Sequence, residues 1–509
     1  MPAASKRKEA AKPHQSETKV AYSRGKINED YHEPVIPLLT AIQVYFGWGL
    51  LLLMGRIRDF FSHLCVKRAK PPAGYAPIVN DFEDFYTRRA YGRIHDCWNR
   101  PICSAPSAYI DIIERERVNG PFNSYTSKLR ETGRVVRALN LGSYNYLGFG
   151  DADSPTRDAV LESLEQYSVS TCSARPELGT TRLHEELEEL VARYVGKEAS
   201  MIFGMGFGTN ATGLPALVGP GSLIISDANN HASIVTGARN SGAKIAVFKH
   251  NDMKDLERLI RKSIIEGQPR TRRPWKKILI VVEGIYSMEG EFCPLPEIVA
   301  LKKKYKCYLY VDEAHSIGAV GPRGRGVCDH FGVDPADVDI LMGTFTKSFG
   351  AVGGYICASK QVIDHLKRAC AGSLYSASIS PPACRQIIEA FKIILGEDGT
   401  DLGQKKLKAI YDNANFFREQ LKERGFHVLG HQGSPIVPLM LYVPSRIKAF
   451  SLEALAHGIA VVVVGFPATP LLLSRARFCI SAAHTREDLE KALEQIDRIG
   501  DVLGLKYGN

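Results

Sequence analysis

Short apolar runs bounded by polar residues recur through the middle of the chain. They are SLIISD at 222–227, KIAVFK at 244–249, KKILIVVE at 276–283 and CYLYVDE at 307–313. Their length and borders predict strands. Helical periodicity fills the gaps. SPTRDAVLESLEQYS at 154–168 predicts one helix, and 181–196 predicts another, with Leu183, Leu187, Leu190, Val191 and Tyr194 on one face. A further helix at 296–306 separates the last two strands, and VVRALNLGS predicts a short strand near 135–141. This βαβ rhythm predicts an α/β fold on a largely parallel sheet, whose ligands gather at the carboxyl ends of strands. Glu283, Asp312 and Thr344 fall at such ends. After about residue 375 the texture changes. Helices at 382–396 and 403–423 precede PIVPLML, a helix at 447–457, IAVVVV, RARFCISAAH and a closing helix at 486–498. That order predicts a smaller α+β domain.

The N-terminal region follows another pattern. Residues 35–55, VIPLLTAIQVYFGWGLLLLMG, carry no charge over 21 positions. A run of that length can cross a hydrocarbon core of roughly 30 Å. A re-entrant or surface-lying helix is the alternative. A signal peptide fits poorly, because a long polar stretch precedes the run and no small-residue cleavage site follows. Arg56, Arg58, Lys67, Arg68 and Lys70 follow the run, whereas Glu29, Asp30 and Glu33 precede it. The positive-inside rule then points the body toward the cytosol. The basic residues between 6 and 26 oppose that reading. Residues 56–70 suit either an interfacial helix or a plain juxtamembrane connection. The expected organisation is a polar tail (1–34), a membrane helix (35–55), a basic juxtamembrane segment and linker (56–76) and a segment leading into the body (77–135). A large domain (136–375) and a small C-terminal domain (376–509) follow.

Composition narrows the class. With 509 residues, 45% apolar and 24% charged, the chain is neither pervasively disordered nor polytopic. Its net charge of +10 suits anionic membranes or acyl-CoA phosphates. No nucleic-acid motif is present, so nucleic acid is not an expected partner. The eleven cysteines are scattered, without CxxC pairs or zinc spacing. They indicate a reducing compartment and no metal site. Cys172, near Arg175, reads as an ordinary loop thiol.

The candidate chemistry lies in GTFTKSFG at 343–350 and VDEAHSIG at 311–318. Lys347 can form an imine, and Asp312, at a strand end, can hold a pyridine nitrogen protonated. These are two needs of pyridoxal phosphate catalysis. His231, in NNHASI at 229–234, can stack on the cofactor ring. GMGFGTN at 204–210 fits a phosphate cradle through the amides of Gly206 and Phe207. His315, or Ser316 beside it, can reach the phenolic oxygen. Taken singly, a lysine in such a place is usually a solvated charge and a glycine-rich run is usually a turn.

Several segments together closely resemble the α-oxoamine synthases. They are LNLGSYNYLGF at 139–149, NHASI, EGIYSMEG at 283–290, VDEAHSIGAVGPRGRG at 311–326, GTFTKSFGAVGGY at 343–355, GFPATP at 465–470 and RFCISAAHT at 477–485. Within that family they are most similar to the lysine-bearing long-chain-base subunits of eukaryotic serine palmitoyltransferases. The resemblance covers roughly residues 75–505. It implies a fold-type I, aspartate aminotransferase-like transferase that binds pyridoxal 5'-phosphate. It implies Lys347 as the cofactor-bearing lysine, Asp312 as partner of the ring nitrogen, His231 as the stacking group and His315 at the phenolic oxygen. Thr344 and Thr346 are implied at the phosphate, Arg477 at the amino-acid carboxylate and Ser287 near the reacting carbonyl. Pro467, Ala468 and Thr469 belong to a segment that orders over substrate. The implied reaction condenses L-serine with palmitoyl-CoA to 3-ketodihydrosphingosine. Implied partners are a related, lysine-lacking subunit 1, a small activating subunit and an Orm-type regulator, at the endoplasmic reticulum membrane. A synthase using glycine or alanine with a shorter acyl-CoA, or a non-catalytic membrane scaffold of the same fold, are the competing readings.

Overall fold

The computed structural model describes residues 35–65, 73–76, 85–86, 91–118 and 129–507. The polar tail, the cations Lys67, Arg68 and Lys70, and most of the segment between 77 and 90 lie outside the described residues.

The first strands, β1 (Tyr109–Arg117) and β2 (Leu129–Asn140), pair antiparallel. The large sheet is built from β3 (Ala199–Phe203), β4 (Leu223–Asp227), β5 (Lys244–Phe248) and β6 (Ile278–Glu283). A short hairpin follows, β7 (Ile285–Tyr286) and β8 (Glu291–Phe292). The large sheet is completed by β9 (Tyr308–Asp312), β10 (Ile340–Thr344) and β11 (Gly354–Ala358). Its order is β3-β11-β10-β9-β6-β4-β5, and only β11 runs against the rest. The four predicted apolar runs are therefore β4, β5, β6 and β9.

Helices cover both faces of this sheet, which is why its central strands can be apolar throughout. One face packs Ile225, Ile280, Val282, Leu309 and Val311 against Leu187, Val191, Ile298 and Phe391. The other packs Ile224, Leu279, Val281 and Tyr310 against Leu214, Ile234 and Leu366. With both faces closed, the carboxyl ends of the strands are where polar groups can gather. Register sets Glu283 beside Asp312, and Asp312 beside Met342.

The C-terminal sheet has the order β12-β15-β14, from β12 (Ile436–Tyr442), β14 (Val462–Val464) and β15 (Ser474–Cys479). The small strand β13 (Ile459–Ala460) pairs with β2, so the first hairpin shares a sheet with the C-terminal region.

The apolar N-terminal run forms a helix, Leu38–Cys65. It passes unbroken through Gly55, Arg56 and Arg58, so at least the first part of the basic 56–70 segment is helical. No proline or turn residue interrupts the chain there, and Gly55 is buried without breaking the helix. The stretch Leu38–Phe61, 24 residues, is long and apolar enough to cross a membrane, which supports membrane association. Thr40, Val44 and Asp59 face inward, and Val44 packs with Leu429, Met440 and Tyr442. Leu38, Leu39, Ile42, Phe46, Leu53 and Phe60 are exposed. An apolar face left uncovered beside a folded body suits lipid rather than water. All described cysteines are free thiols.

Candidate active site

At the carboxyl edge of the large sheet lies a cavity of about 260 Å³. Its lining includes Gly206, Phe207, His231, Asp312, His315, Thr344, Thr346 and Lys347. Eight residues singled out from sequence, spread between 206 and 347, thus meet in one place.

Asp312 ends β9 and is 3% exposed. Its Oδ2 accepts from Asn210 Nδ2 at 2.7 Å, and its Oδ1 accepts from Ala314 N at 2.9 Å. Asn210 is itself oriented: Tyr310 Oη donates to its Oδ1 at 2.7 Å, so the amide nitrogen must face Asp312. A buried carboxylate held this way keeps its position without a protein cation.

Lys347 follows β10 in a tight turn. Gly350 closes the turn with φ +60, and a Cβ there would stand 2.5 Å from Gly150 N. The lysine forms no ion pair among the described residues. Its Nζ lies 5.6 Å from the centre of the Tyr144 ring. Burial lowers its pKa to about 8, against the pull of Asp312 and Glu283. The amine is therefore far easier to deprotonate than a surface lysine. Competitive acetylation of the cofactor-free chain, read by peptide mass, should show half-maximal reactivity of Lys347 near pH 8. A midpoint above about 10, the ordinary lysine value, would contradict the burial argument.

His231 caps the helix Ala232–Asn240, its ring nitrogen accepting from Ser233 N at 3.2 Å. Its own amide donates to Glu283 Oε1. Burial, then the neighbouring Asp312, holds Glu283 well above the usual carboxyl range. His315 is 6% exposed, bonds Tyr146 Oη through Nδ1 at 2.8 Å and meets the Tyr144 ring edge-on at 5.1 Å. Burial, and after it Lys347 and Arg477, keeps its imidazole neutral.

The helix Gly206–Leu217 opens on the cavity with free amides. A Cβ at Gly206 would sit 3.0 Å from Thr344 Cγ2, so the close approach of that helix start to β10 needs glycine. Thr346 Oγ1 donates to Thr344 Oγ1 at 3.3 Å beside it. Helix amides, two hydroxyls, a low-pKa lysine and a held carboxylate in one small cavity fit the donor and acceptor set of pyridoxal phosphate.

Arg477, on β15, is outside the cavity lining but reaches the same aromatic group. Its guanidinium lies 4.7 Å from the centre of the Tyr144 ring, on which Lys347 also bears. It is 5% exposed, has no carboxylate partner among the described residues, and its Nε finds no hydrogen bond. Arg475, two residues earlier, is fixed by Leu473 O, Met288 O and Glu289. Ser287 lies in the turn of the β7–β8 hairpin and does not line the cavity. Pro467 and Ala468 are exposed on the loop after β14, and Thr469 is buried in it. The sequence reading gives no role to Tyr144, Tyr146 or Asn210. Tyr144 and Tyr146 stand in the LNLGSYNYLGF box and Asn210 closes GMGFGTN, but their contacts come from distant strands.

Comparison with known proteins gives the same picture. Residues 136–496 match the aminotransferase class I and II family. Long chain base biosynthesis protein 2a of Oryza sativa subsp. japonica is 59% identical over 473 residues, 93% of this chain and 96% of that protein. Serine palmitoyltransferase 2 of Dictyostelium discoideum is 53% identical over 471 residues, 92% of this chain and 95% of that protein. Among solved structures, Sphingomonas wittichii serine palmitoyltransferase superposes with a TM-score of 0.73 at 27% identity, covering 85% of this chain and all of that one. A high-resolution structure of SPT with PLP gives the same score and identity over 84% of this chain. The chain therefore belongs to the aminotransferase class I and II family and, within it, to the pyridoxal phosphate-dependent α-oxoamine synthases of the long-chain-base 2 and serine palmitoyltransferase 2 group.

Proposed function

We propose that this chain is the lysine-bearing catalytic subunit of a serine C-palmitoyltransferase. It condenses L-serine with palmitoyl-CoA to 3-ketodihydrosphingosine, releasing CoA and carbon dioxide. The observation that carries this reading is the meeting of Lys347, Asp312 and His231 in one cavity, with the buried Arg477, which has no carboxylate partner among the described residues, on the same Tyr144 ring that faces Lys347.

Pyridoxal phosphate, when bound, supplies an aldehyde for the amino group and a ring that accepts electrons. Lys347 would hold the aldehyde, and its lowered pKa suits an amine that takes the serine Cα proton. Asp312 would favour a proton on the ring nitrogen, with Asn210 and Ala314 fixing its position. His231 would pack against the ring. His315, kept neutral, would donate toward the phenolic oxygen, with Tyr146 on its other nitrogen. Gly206, Phe207, Thr344 and Thr346 would hold the phosphate. Arg477 takes the serine carboxylate, Ser287 sits near the reacting carbonyl, and the Pro467–Thr469 loop orders over substrate. The Cα electron pair then forms a carbon–carbon bond to the thioester carbonyl. The CoA thiolate leaves, the carboxyl group departs as carbon dioxide, and Cα is reprotonated.

The lipid-sized substrate and product give the apolar helix a purpose, because both partition into a bilayer. Cations directly after the apolar core, including Arg56 and Arg58, support a cytosolic body at the endoplasmic reticulum membrane. A lysine-lacking subunit 1, a small activating subunit and an Orm-type regulator are the expected partners. Residues 136–375 and 376–509 act as the cofactor-binding and small domains.

The test uses the full chain purified with its co-purifying subunits, offered serine, glycine or alanine with acyl-CoAs of graded length. Product from serine and palmitoyl-CoA is expected, and preference for glycine or alanine would overturn the assignment. Arg477→Lys should raise KM for serine by about 10- to 100-fold, since a point charge replaces a fork that grips a carboxylate at two points. Its KM for palmitoyl-CoA should stay within about twofold, on the premise that a uniform binding contact to one substrate was removed.

A further inference from the structure

We infer that His250 is a positioning residue for the condensation, a clamp that fixes the turn carrying His231 to the hairpin that faces Arg477. The inference rests on the function proposed above and names a residue outside the cavity. His250 follows β5 and is largely buried. Its Nδ1 lies 2.8 Å from Asp227 Oδ1, and its Nε2 lies 3.5 Å from Glu291 Oε2. The ring stands edge-on over Tyr286 at 4.3 Å. One imidazole thus links the end of β4 to β8.

Each end of the link leads to a site residue. Asp227 Oδ1 also accepts from Asn229 N at 2.8 Å, which orders the turn after β4. In that turn Asn230 Nδ2 donates to Ser226 Oγ and Val281 O at 2.9 and 2.8 Å, and His231 N donates to Glu283. His231 therefore enters the cavity from a turn built on Asp227. At the other end, Glu291 belongs to the hairpin whose turn carries Ser287 and Met288. Met288 O accepts from Arg475 Nη1 at 2.6 Å, and its sulfur lies 3.8 Å from Arg477 Nη1. Asn251, next to His250, repeats the link: its N donates to Asp227 Oδ2 at 3.1 Å and its Nδ2 to Phe292 O at 3.1 Å.

The charge fits the role. Burial alone would lower the pKa of His250, but the close bond to Asp227 and the charge of Glu291, which lies at ion-pair distance from the ring without a hydrogen bond to it, outweigh it and push the value up to about 10. Glu289, held by Arg475, and His431, whose pKa burial lowers, are the other titratable groups around it. Removing a cation from between two buried carboxylates leaves both without that partner, which is costly. The hairpin and the turn would then be free to shift apart, and a shift of about 1 Å at a reacting centre can cost up to about 100-fold.

The experiment is steady-state kinetics on His250→Gln in the full chain with its co-purifying subunits. KM for L-serine should rise about tenfold, with the cofactor still bound and KM for palmitoyl-CoA raised by less. A lower melting temperature with an unchanged serine KM would show a purely structural residue and overturn the inference. An equal rise in both KM values would overturn it as well. If His250→Gln does not fold, Glu291→Gln keeps the hairpin's volume and removes one end of the link. The same serine-specific rise is expected from it, and an unchanged serine KM would refute the clamp. A wild-type chain unable to condense serine would overturn the proposed function and this inference with it, an outcome distinct from an active wild type and an unaffected variant.

Discussion

Lys347→Ala should abolish condensation and the visible absorbance of bound cofactor together. Among the described residues no other lysine lines the cavity, so no neighbouring amine there can take over the covalent bond or the proton at Cα. General-base catalysis alone is worth about 10²- to 10⁴-fold, and loss of the covalent attachment adds to it, so kcat should fall by at least about 10⁴. The fold should survive. In the cofactor-free wild type at pH 7 the half-buried, poorly solvated ammonium is unfavourable, its pKa depressed from 10.5 to about 8. That shift corresponds to a penalty on the order of 3 kcal/mol. The unfolded chain binds the proton more tightly, so the penalty is full below about pH 8 and fades as pH rises toward 10.5. Cofactor-free Lys347→Ala should therefore melt higher than cofactor-free wild type at pH 7, and the gap should close toward pH 10.5. Calorimetry at the two pH values checks the sign, while spectra and product mass analysis check the chemistry. Product at more than about one thousandth of the wild-type rate would remove Lys347 from the mechanism.

How much of this was legible in the sequence differs by element. The runs at 222–227, 244–249, 276–283 and 307–313 became β4, β5, β6 and β9, because strands covered on both faces are written as continuous apolar text. The ends of those strands were legible too, and with them Asp312 and Glu283. The join between β2 and β13 was not: two residues at 459–460 pair with a strand more than 300 positions earlier, and no local pattern encodes that. The uncharged N-terminal run stops at 55, but the helix continues to Cys65. Arginines at 56 and 58 remain helical because helix formation tolerates them. At the site, residues with a chemical signature (Lys347, His231, Asp312) stood out in sequence. Asn210 and Tyr144 act by contact, one holding a carboxylate and the other lying beneath two cations, and only the fold brings those contacts together. His250 belongs to the same class, as its meaning depends on Asp227 and Glu291 arriving from two other strands.

Asp312→Asn should lower kcat by about 10²- to 10³-fold while leaving cofactor bound, the range seen when one preorganised electrostatic group is removed. Asp312 accepts two hydrogen bonds, from Asn210 Nδ2 and Ala314 N, one on each oxygen. An asparagine offers one oxygen, so its amino group must face one of those donors. Asn210 cannot turn to relieve the clash, because its oxygen is held by Tyr310 Oη. Backbone Ala314 N cannot turn either. One buried donor is left unmet, which costs about 1–3 kcal/mol of stability. The larger effect is on the reaction, since a neutral amide no longer favours a proton on the ring nitrogen and the ring accepts electrons less well. Arg477, Lys347 and the helix amides at Gly206 are untouched, so serine KM and the retained cofactor separate this loss from one of binding. Within tenfold of wild-type kcat, the variant would show that the carboxylate serves only to hold Asn210 and the turn at Ala314. Full loss of cofactor would show that Asp312 is needed for retention, and the electronic role would then lack support.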